Sequence, residues 1–408
     1  MSFEASTRRF ENTSRATSES FLSAGDLLDL ASVLQCPISG SKLHVLSPVE
    51  IASVRSRLVR GELEHAAGAP VQMEIDQALA SENGELIYPI ADGILILVPA
   101  FAIVKPGSAP RFEADAAGVM RFYDEIGWNV THEGVFEDTV RFEDLREITR
   151  PYVKASYARV GSIIEGSGKY LLDVACGPIP YAEYLTYSES YGKRLCVDLS
   201  VVALRAARKR LRDKGIYIQA DITQLPFRAG TLDAFISLHT IYHVPASRQA
   251  LAFRELERVV KPGGRGVVVY SWGSRAMAMD VLMALGRPLF TAKSLVRRVL
   301  PDTLVQRLKS ALGRQGSNPA ASGSEPGLYF EPHDQAWFDR EIAVSPGWEI
   351  RVWRTASAPF LSHCVHPGAI GRGIVRALLS VEQAFPRFCG RFGQYPMFVY
   401  RKPQRRGE

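Results

Sequence analysis

The chain has 408 residues, 46% of them hydrophobic and 23% charged, a balance that excludes a wholly disordered or collagen-like protein and is long enough for two domains. Lys and Arg number 49 against 43 Asp and Glu, yet the net charge of +6 is local: Gly273 to Ala320 alone holds 8 basic and 2 acidic residues, which argues against a nucleic-acid enzyme whose positive charge is spread along a binding face. A polar first 20 residues, a longest apolar run (Ile94 to Val104) interrupted by Pro99, and five scattered cysteines without a CxxC predict a cytoplasmic, reduced chain with no signal peptide, spanning helix or structural zinc cluster.

Residues 1–29 read as a flexible tail that gives way to a short helix from Asp26. Residues 30–104 read as a small, β-rich α+β module. In it, Leu34-Gln-Cys-Pro-Ile-Ser-Gly40 turns into a strand, and Leu86 to Val98 is a hairpin about Asp92-Gly93. Lys105 to Pro110 is a linker by its Pro, Gly and Ser content, and 105–165 combines it with helices placed to act as a lid, Tyr123 and Trp128 among them.

From 166 to 408 strands alternate with helices. Strands are expected at Tyr170–Ala175, Arg194–Asp198, Ile216–Ala220, Leu232–Leu238 and Gly266–Tyr270. Helices are expected at Val201–Lys214 and Arg248–Val260, the second stopped by Lys261-Pro-Gly-Gly264. Such alternation predicts an α/β fold whose parallel sheet is covered on both faces. Trp348–Thr355 and Pro396–Lys402 are placed to complete the sheet as an antiparallel pair, with a helix over Ile374–Phe385 between them. A helical insertion after the fifth strand occupies about 273–346. Its apolar stripe (Leu295, Val299, Leu304 and Leu308) opposes Arg297, Arg298, Arg307 and Lys309, a pattern suited to a lid, an anionic membrane surface or plain packing.

Three aspartates close the first three strands: Asp173, Asp198 and Asp221. Ligands of open α/β sheets bind at the carboxyl ends of the strands. There Gly177 lets backbone approach a ligand, and an acidic residue ending the second strand can accept both hydroxyls of a ribose. In Cys176-Gly-Pro-Ile-Pro180, Pro178 and Pro180 remove N–H donors that a pyrophosphate would need.

The segments Leu172-Asp-Val-Ala-Cys-Gly177, Val197-Asp198, Asp221-Ile-Thr-Gln-Leu-Pro-Phe227, His239-Thr-Ile-Tyr-His243 and Val260-Lys-Pro-Gly-Gly264 resemble, in order and spacing, the class I S-adenosylmethionine-dependent methyltransferases. The branch they are most similar to holds the ubiquinone- and menaquinone-type small-molecule enzymes. The resemblance implies a Rossmann-like, seven-stranded sheet with helices on both faces. It implies S-adenosyl-L-methionine as cofactor, with Asp173, Ala175 and Gly177 at its methionine portion, Asp198 at the ribose, and Asp221 with the Ile222 N–H at the adenine. Ala175 and Ile179 stand where the family has glycines, and Ile179 suggests an altered loop path.

His239 and His243, after the fourth strand, are the candidate catalytic residues. A histidine of near-neutral pKa suits removal of a proton from an alcohol or phenol acceptor, and a spacing of four would align the pair on a helix. Residues 30–104 resemble the small Trm112-like modules, many of which bind zinc through paired cysteines. Here Cys36 has Ser39 where a second thiolate would stand, so no metal is expected. The expected activity is methyl transfer to a small-molecule, lipid or sugar-type acceptor. An RNA or protein methyltransferase, or a non-catalytic cofactor-binding subunit, is the alternative. The sequence leaves the oligomeric state unassigned and leaves open a peripheral contact with an anionic membrane.

Overall fold

A computed structural model of the chain describes residues 22–108, 144, 146–272 and 330–404. Most of the expected tail, Tyr123 and Trp128 of the expected lid, and the basic part of the insertion lie outside the described residues.

Helix α1 (Ala24–Ala31) starts at Ser23, whose hydroxyl accepts the Asp26 N–H, and buries Leu27 and Leu30. Strand β1 (Leu43–Val45) leads to α2 (Pro48–Val59), which opens on a capping box between Ser47 and Glu50. Strands β2 (Glu64–His65), β3 (Gln77–Ser81), β4 (Ile87–Ala91), β5 (Ile94–Ile96) and β6 (Ile103–Val104) complete the N-terminal part. The expected hairpin is present: β4 and β5 join through Asp92 (φ 50°) and Gly93 (φ 67°), the two left-handed positions of a tight hairpin turn.

Helix α3 (Arg150–Ile164) precedes β7 (Gly168–Val174), followed by the short α4 (Ala182–Leu185), β8 (Tyr191–Asp198), α5 (Val201–Leu211), β9 (Gly215–Gln219), β10 (Leu232–Leu238), α6 (Ala246–Val259) and β11 (Val260–Val269). Strand β12 (Trp348–Arg354), helices α7 (Ala358–Cys364), α8 (Ala369–Ala384) and α9 (Pro386–Phe392), and β13 (Tyr395–Arg401) close the chain. The order β9-β8-β7-β10-β11-β13-β12 contains five parallel strands and the expected late pair, with β13 antiparallel to both β11 and β12. The order reverses between β7 and β10, which makes the carboxyl ends of those two strands the natural crevice.

Helix α6 ends at Val259, as expected ahead of Lys261-Pro-Gly-Gly264, but that tract lies inside β11, which begins at Val260 and not at the expected Gly266. The register against β10 jumps from Leu232↔Val260 to Ala234↔Arg265, and the tract pairs instead with Lys402, which accepts from Gly263 N–H and donates to Gly264 C=O. The N-terminal module is also not a separate sheet. β5 pairs in parallel with β9 (Ile94↔Tyr217 to Ile96↔Gln219), so the order β1-β3-β4-β5 runs on without a break into the parallel sheet.

The join is sealed by Gln35 N–H to Pro226 C=O, Arg228 N–H to Val33 C=O and a pair of arginines, Arg205 and Arg208, that clasp Asp92 from α5. One buried core cluster runs through both parts, from Leu30, Cys36 and Leu95 to Leu195, Ile218 and Phe227. Cys36 is fully buried, its thiol 3.1 Å from the Tyr88 hydroxyl. Among the described residues no helix is long and apolar enough to cross a membrane.

Candidate cofactor and acceptor site

The turn after β7 is built from left-handed residues in alternation: Ala175 (φ 51°), Gly177 (φ 56°) and Ile179 (φ 54°). The backbone at both positions where the family has glycine takes the conformation glycine adopts freely. For a β-branched residue that is an outlier. Complete burial of the Ile179 side chain against the second core cluster opposes the strain.

Asp198 ties this turn to the next. Its Oδ2 accepts the Gly177 N–H and its Oδ1 the Ser200 N–H, both at 2.9 Å. The residue is only partly buried, at the carboxyl end of β8.

Asp173 has a different environment. It is 2% exposed and its Oδ2 accepts two hydrogen bonds from Arg194, at 3.0 and 2.6 Å, while Arg194 also donates to Tyr184 C=O. Burial pushes the Asp173 carboxyl up against the pull of the Arg194 guanidinium. Asp173 therefore supports the turn from beneath. Arg194 was missed from sequence, although a charge inside the apolar run Arg194-Leu-Cys-Val197, two residues from the position paired with Asp173, is the signal that could have found it.

Asp221 folds a local turn, its Oδ1 accepting from the Thr223 N–H and hydroxyl, and Oδ2 faces Arg248 at 3.3 Å. Ile222 beside it is buried. Asp173, Ala175, Gly177, Asp198, Asp221 and Ile222 thus lie at or just beyond the carboxyl ends of β7, β8 and β9. The turn residues Cys176 and Gly177 and the Asp198 carboxylate are in direct contact with β8.

On the other side of the reversal point His239 follows β10, held left-handed (φ 62°) with its N–H on Val269 C=O. Its ring packs edge-on against Trp353 at 4.3 Å and Tyr395 at 5.6 Å. His243 ends a 3-10 turn, Ile241–His243, beside Tyr242 and Phe330, so the pair is not aligned on a helix. The expected near-neutral histidine is corrected too. Burial, then the positive charge of Arg354 and then His243 press the His239 pKa down to about 3, so its imidazole is neutral and weakly basic at pH 7. Trp353 and Tyr395 come from β12 and β13, the expected late pair beyond β11, and their contact with His239 has no local sequence signal; Arg354 lies over both rings.

Residues 172–268 match the family described as "Methyltransferase domain". The chain is a methyltransferase of the S-adenosylmethionine-dependent kind. Among curated relatives, this methyltransferase is 26% identical over 182 residues to the phthiotriol/phenolphthiotriol dimycocerosates methyltransferase of Mycobacterium tuberculosis, covering 40% of this chain and 67% of that one. It is 32% identical over 108 residues to the ubiquinone/menaquinone biosynthesis C-methyltransferase UbiE of Idiomarina loihiensis, covering 25% and 42%. Of solved structures, geranyl diphosphate C-methyltransferase from Streptomyces coelicolor aligns over 72% of this chain and 100% of its own at 14% identity and a TM-score of 0.40.

The donor set of the methyltransferase suits its cofactor. A partly buried carboxylate closes the second strand. The turn beside it keeps its backbone close to β8, and its Pro178 and Pro180 offer no N–H to a phosphate, a group that S-adenosylmethionine lacks.

Proposed function

We propose that this methyltransferase acts on a small-molecule or lipid-type acceptor, whose reacting atom enters between the turn after β7 and His239. The observation that carries the reading is the Asp198 carboxylate, partly buried at the end of β8 and bonded to the turn after β7 through the Gly177 N–H. Asp198 would hold the ribose, Asp221 and the Ile222 N–H the adenine, and Ala175 and Gly177 the methionine portion, with Asp173 acting through Arg194 to keep the turn in place.

The bound cofactor supplies an already activated methyl on a sulfonium. What remains for the chain is to align the acceptor and exclude water. Trp353, fully buried, and Tyr395 pack against the His239 ring and fix its position, with the Arg354 guanidinium over both of their rings. His239, neutral across the physiological range, can accept a hydrogen bond from an acceptor O–H without competing for the proton. Names among the curated relatives support the acceptor class: one acts on phthiotriol and phenolphthiotriol dimycocerosates and one in ubiquinone and menaquinone biosynthesis. Residues 30–104 are proposed to be a Trm112-like module fused in cis, supported by the way β5 extends the catalytic sheet.

The test is calorimetry with S-adenosylhomocysteine. Asp198→Ala loses hydrogen bonds to a charged acceptor, so affinity falls by about 1.5–3 kcal/mol. Unchanged affinity removes the ribose assignment. Labelled cofactor with quinol, phenol and lipid-alcohol acceptors then identifies the class that is turned over.

A further inference from the structure

Cys176 sits in the cofactor turn and Cys196 in the middle of β8; their sulfurs and an Asp173 carboxylate oxygen all lie within 4.8 Å of one another. Cys176 as a residue is partly exposed, but its thiol is buried, as is Cys196. We infer that Cys176 and Cys196 are an oxidisable dithiol, and that the disulfide they form pulls the turn after β7 out of its cofactor-binding shape.

A thiophilic metal is the competing occupant, and the surroundings oppose it. Arg194 already donates twice to Asp173 Oδ2, and a guanidinium beside that carboxylate repels a cation. A disulfide needs no third ligand and carries no charge into the core. With a hydroperoxide as oxidant the step balances. The Cys176 sulfur attacks the distal oxygen, the O–O bond breaks and an alcohol (water, from hydrogen peroxide) departs, leaving a sulfenic acid. The Cys196 sulfur attacks that sulfur, the S–S bond forms and a second water leaves.

The strand cannot yield to close the gap. β8 is laddered on both sides, to β7 and to β9. The turn can, since Cys176 lies between two left-handed residues, Ala175 and Gly177. Moving Cys176 displaces the adjacent Gly177 N–H from Asp198, the bond that joins the two halves of the cofactor site. Burial and the neighbouring carboxylates Asp173 and Asp198 also hold the Cys176 thiol well above its ordinary pKa. The link therefore forms slowly at neutral pH and faster as pH rises, because the thiolate is the attacking species.

The full chain is exposed to hydrogen peroxide, alkylated under denaturing conditions and digested. The expected product is one linked peptide pair carrying Cys176 and Cys196, with Cys36, Cys364 and Cys389 alkylated. Affinity for S-adenosylhomocysteine falls about tenfold or more and returns with dithiothreitol. Saturating S-adenosylhomocysteine slows the linking, and Cys196→Ala keeps its affinity through the oxidant. Sulfinic or sulfonic Cys176 without a link, a link between other cysteines, or a stoichiometric metal lost on Cys196→Ala overturns the dithiol. A link that leaves affinity unchanged overturns its coupling to the turn. Should Cys196→Ala fail to fold, the peptide map of the unaltered chain still decides. The affinity arm rests on the proposed cofactor site, and a reduced protein that binds no S-adenosylhomocysteine fails that reading and not the link.

Discussion

Ala175 and Ile179 hold left-handed backbone at about 1–2 kcal/mol each, and opposite fates follow from their side chains. Ala175 gives up one methyl if replaced by glycine, so Ala175→Gly changes stability by no more than about 1 kcal/mol. Ile179 gives up a completely buried side chain, worth about 2–5 kcal/mol in a core. The loss exceeds the strain relieved, so Ile179→Gly lowers the urea midpoint although it restores the family's residue. An Ile179→Gly variant as stable as the parent shows that strain is the larger quantity.

His239 adds a pH dependence of definite sign. Its folded pKa of about 3 lies below the ordinary 6.5, so the unfolded chain binds the proton first. Stability from this residue is complete above pH 6.5 and falls toward pH 3 by up to about 1.4 kcal/mol per pH unit. Denaturant unfolding at pH 5.0–6.5, above most carboxylate titration, reads the slope, and His239→Gln flattens it. A slope unchanged in that variant assigns the titration elsewhere.

At the scale of elements, the strands and helices after residue 166 were legible because their apolar runs are bounded by Gly, Pro and Asp, and the three strand-end aspartates marked the cofactor side by order alone. The Lys261-Pro-Gly-Gly264 tract misled because its pairing partner is Lys402, at the other end of the domain. The packing around His239 was hidden for the same reason, since Trp353 and Tyr395 meet His239 only when β12 and β13 dock. The β5–β9 junction left no local mark either. It converts what would be an edge strand, with every residue of Gly215–Gln219 buried, into an interior one. Deleting residues 1–104 therefore exposes the β9 edge and the Leu195–Ile218 core. The shortened chain is expected to aggregate in light scattering, whereas a monodisperse truncated protein that binds S-adenosylhomocysteine shows the module dispensable.

For the whole molecule, charge divides the labour. Outside Gly273–Ala320 basic and acidic residues balance, so any long-range attraction to an anionic surface originates in that segment. Replacing Arg297, Arg298 and Arg307 by Gln is expected to leave S-adenosylhomocysteine affinity within about twofold, because salt screens exposed charges beyond roughly 8–10 Å. The same variant loses sedimentation with phosphatidylglycerol vesicles, and the difference from the parent narrows as salt rises. Equal vesicle binding by the two proteins excludes the segment as a lipid contact, and a matched loss of cofactor affinity moves it into the cofactor site.

The shared sheet also sets an order of assembly on the ribosome. Ile94–Ile96 leaves the exit tunnel about 120 residues before its partner Tyr217–Gln219, a delay of roughly 6–25 s at ordinary elongation rates. Throughout that interval the nascent N-terminal segment carries a strand that can pair with β4 on one edge only, and its three residues are all apolar and all destined for the interior. The vulnerable moment of this chain's life is thus early in synthesis. Holding the newborn strand apart from other chains is work for whatever meets the polypeptide at the tunnel mouth.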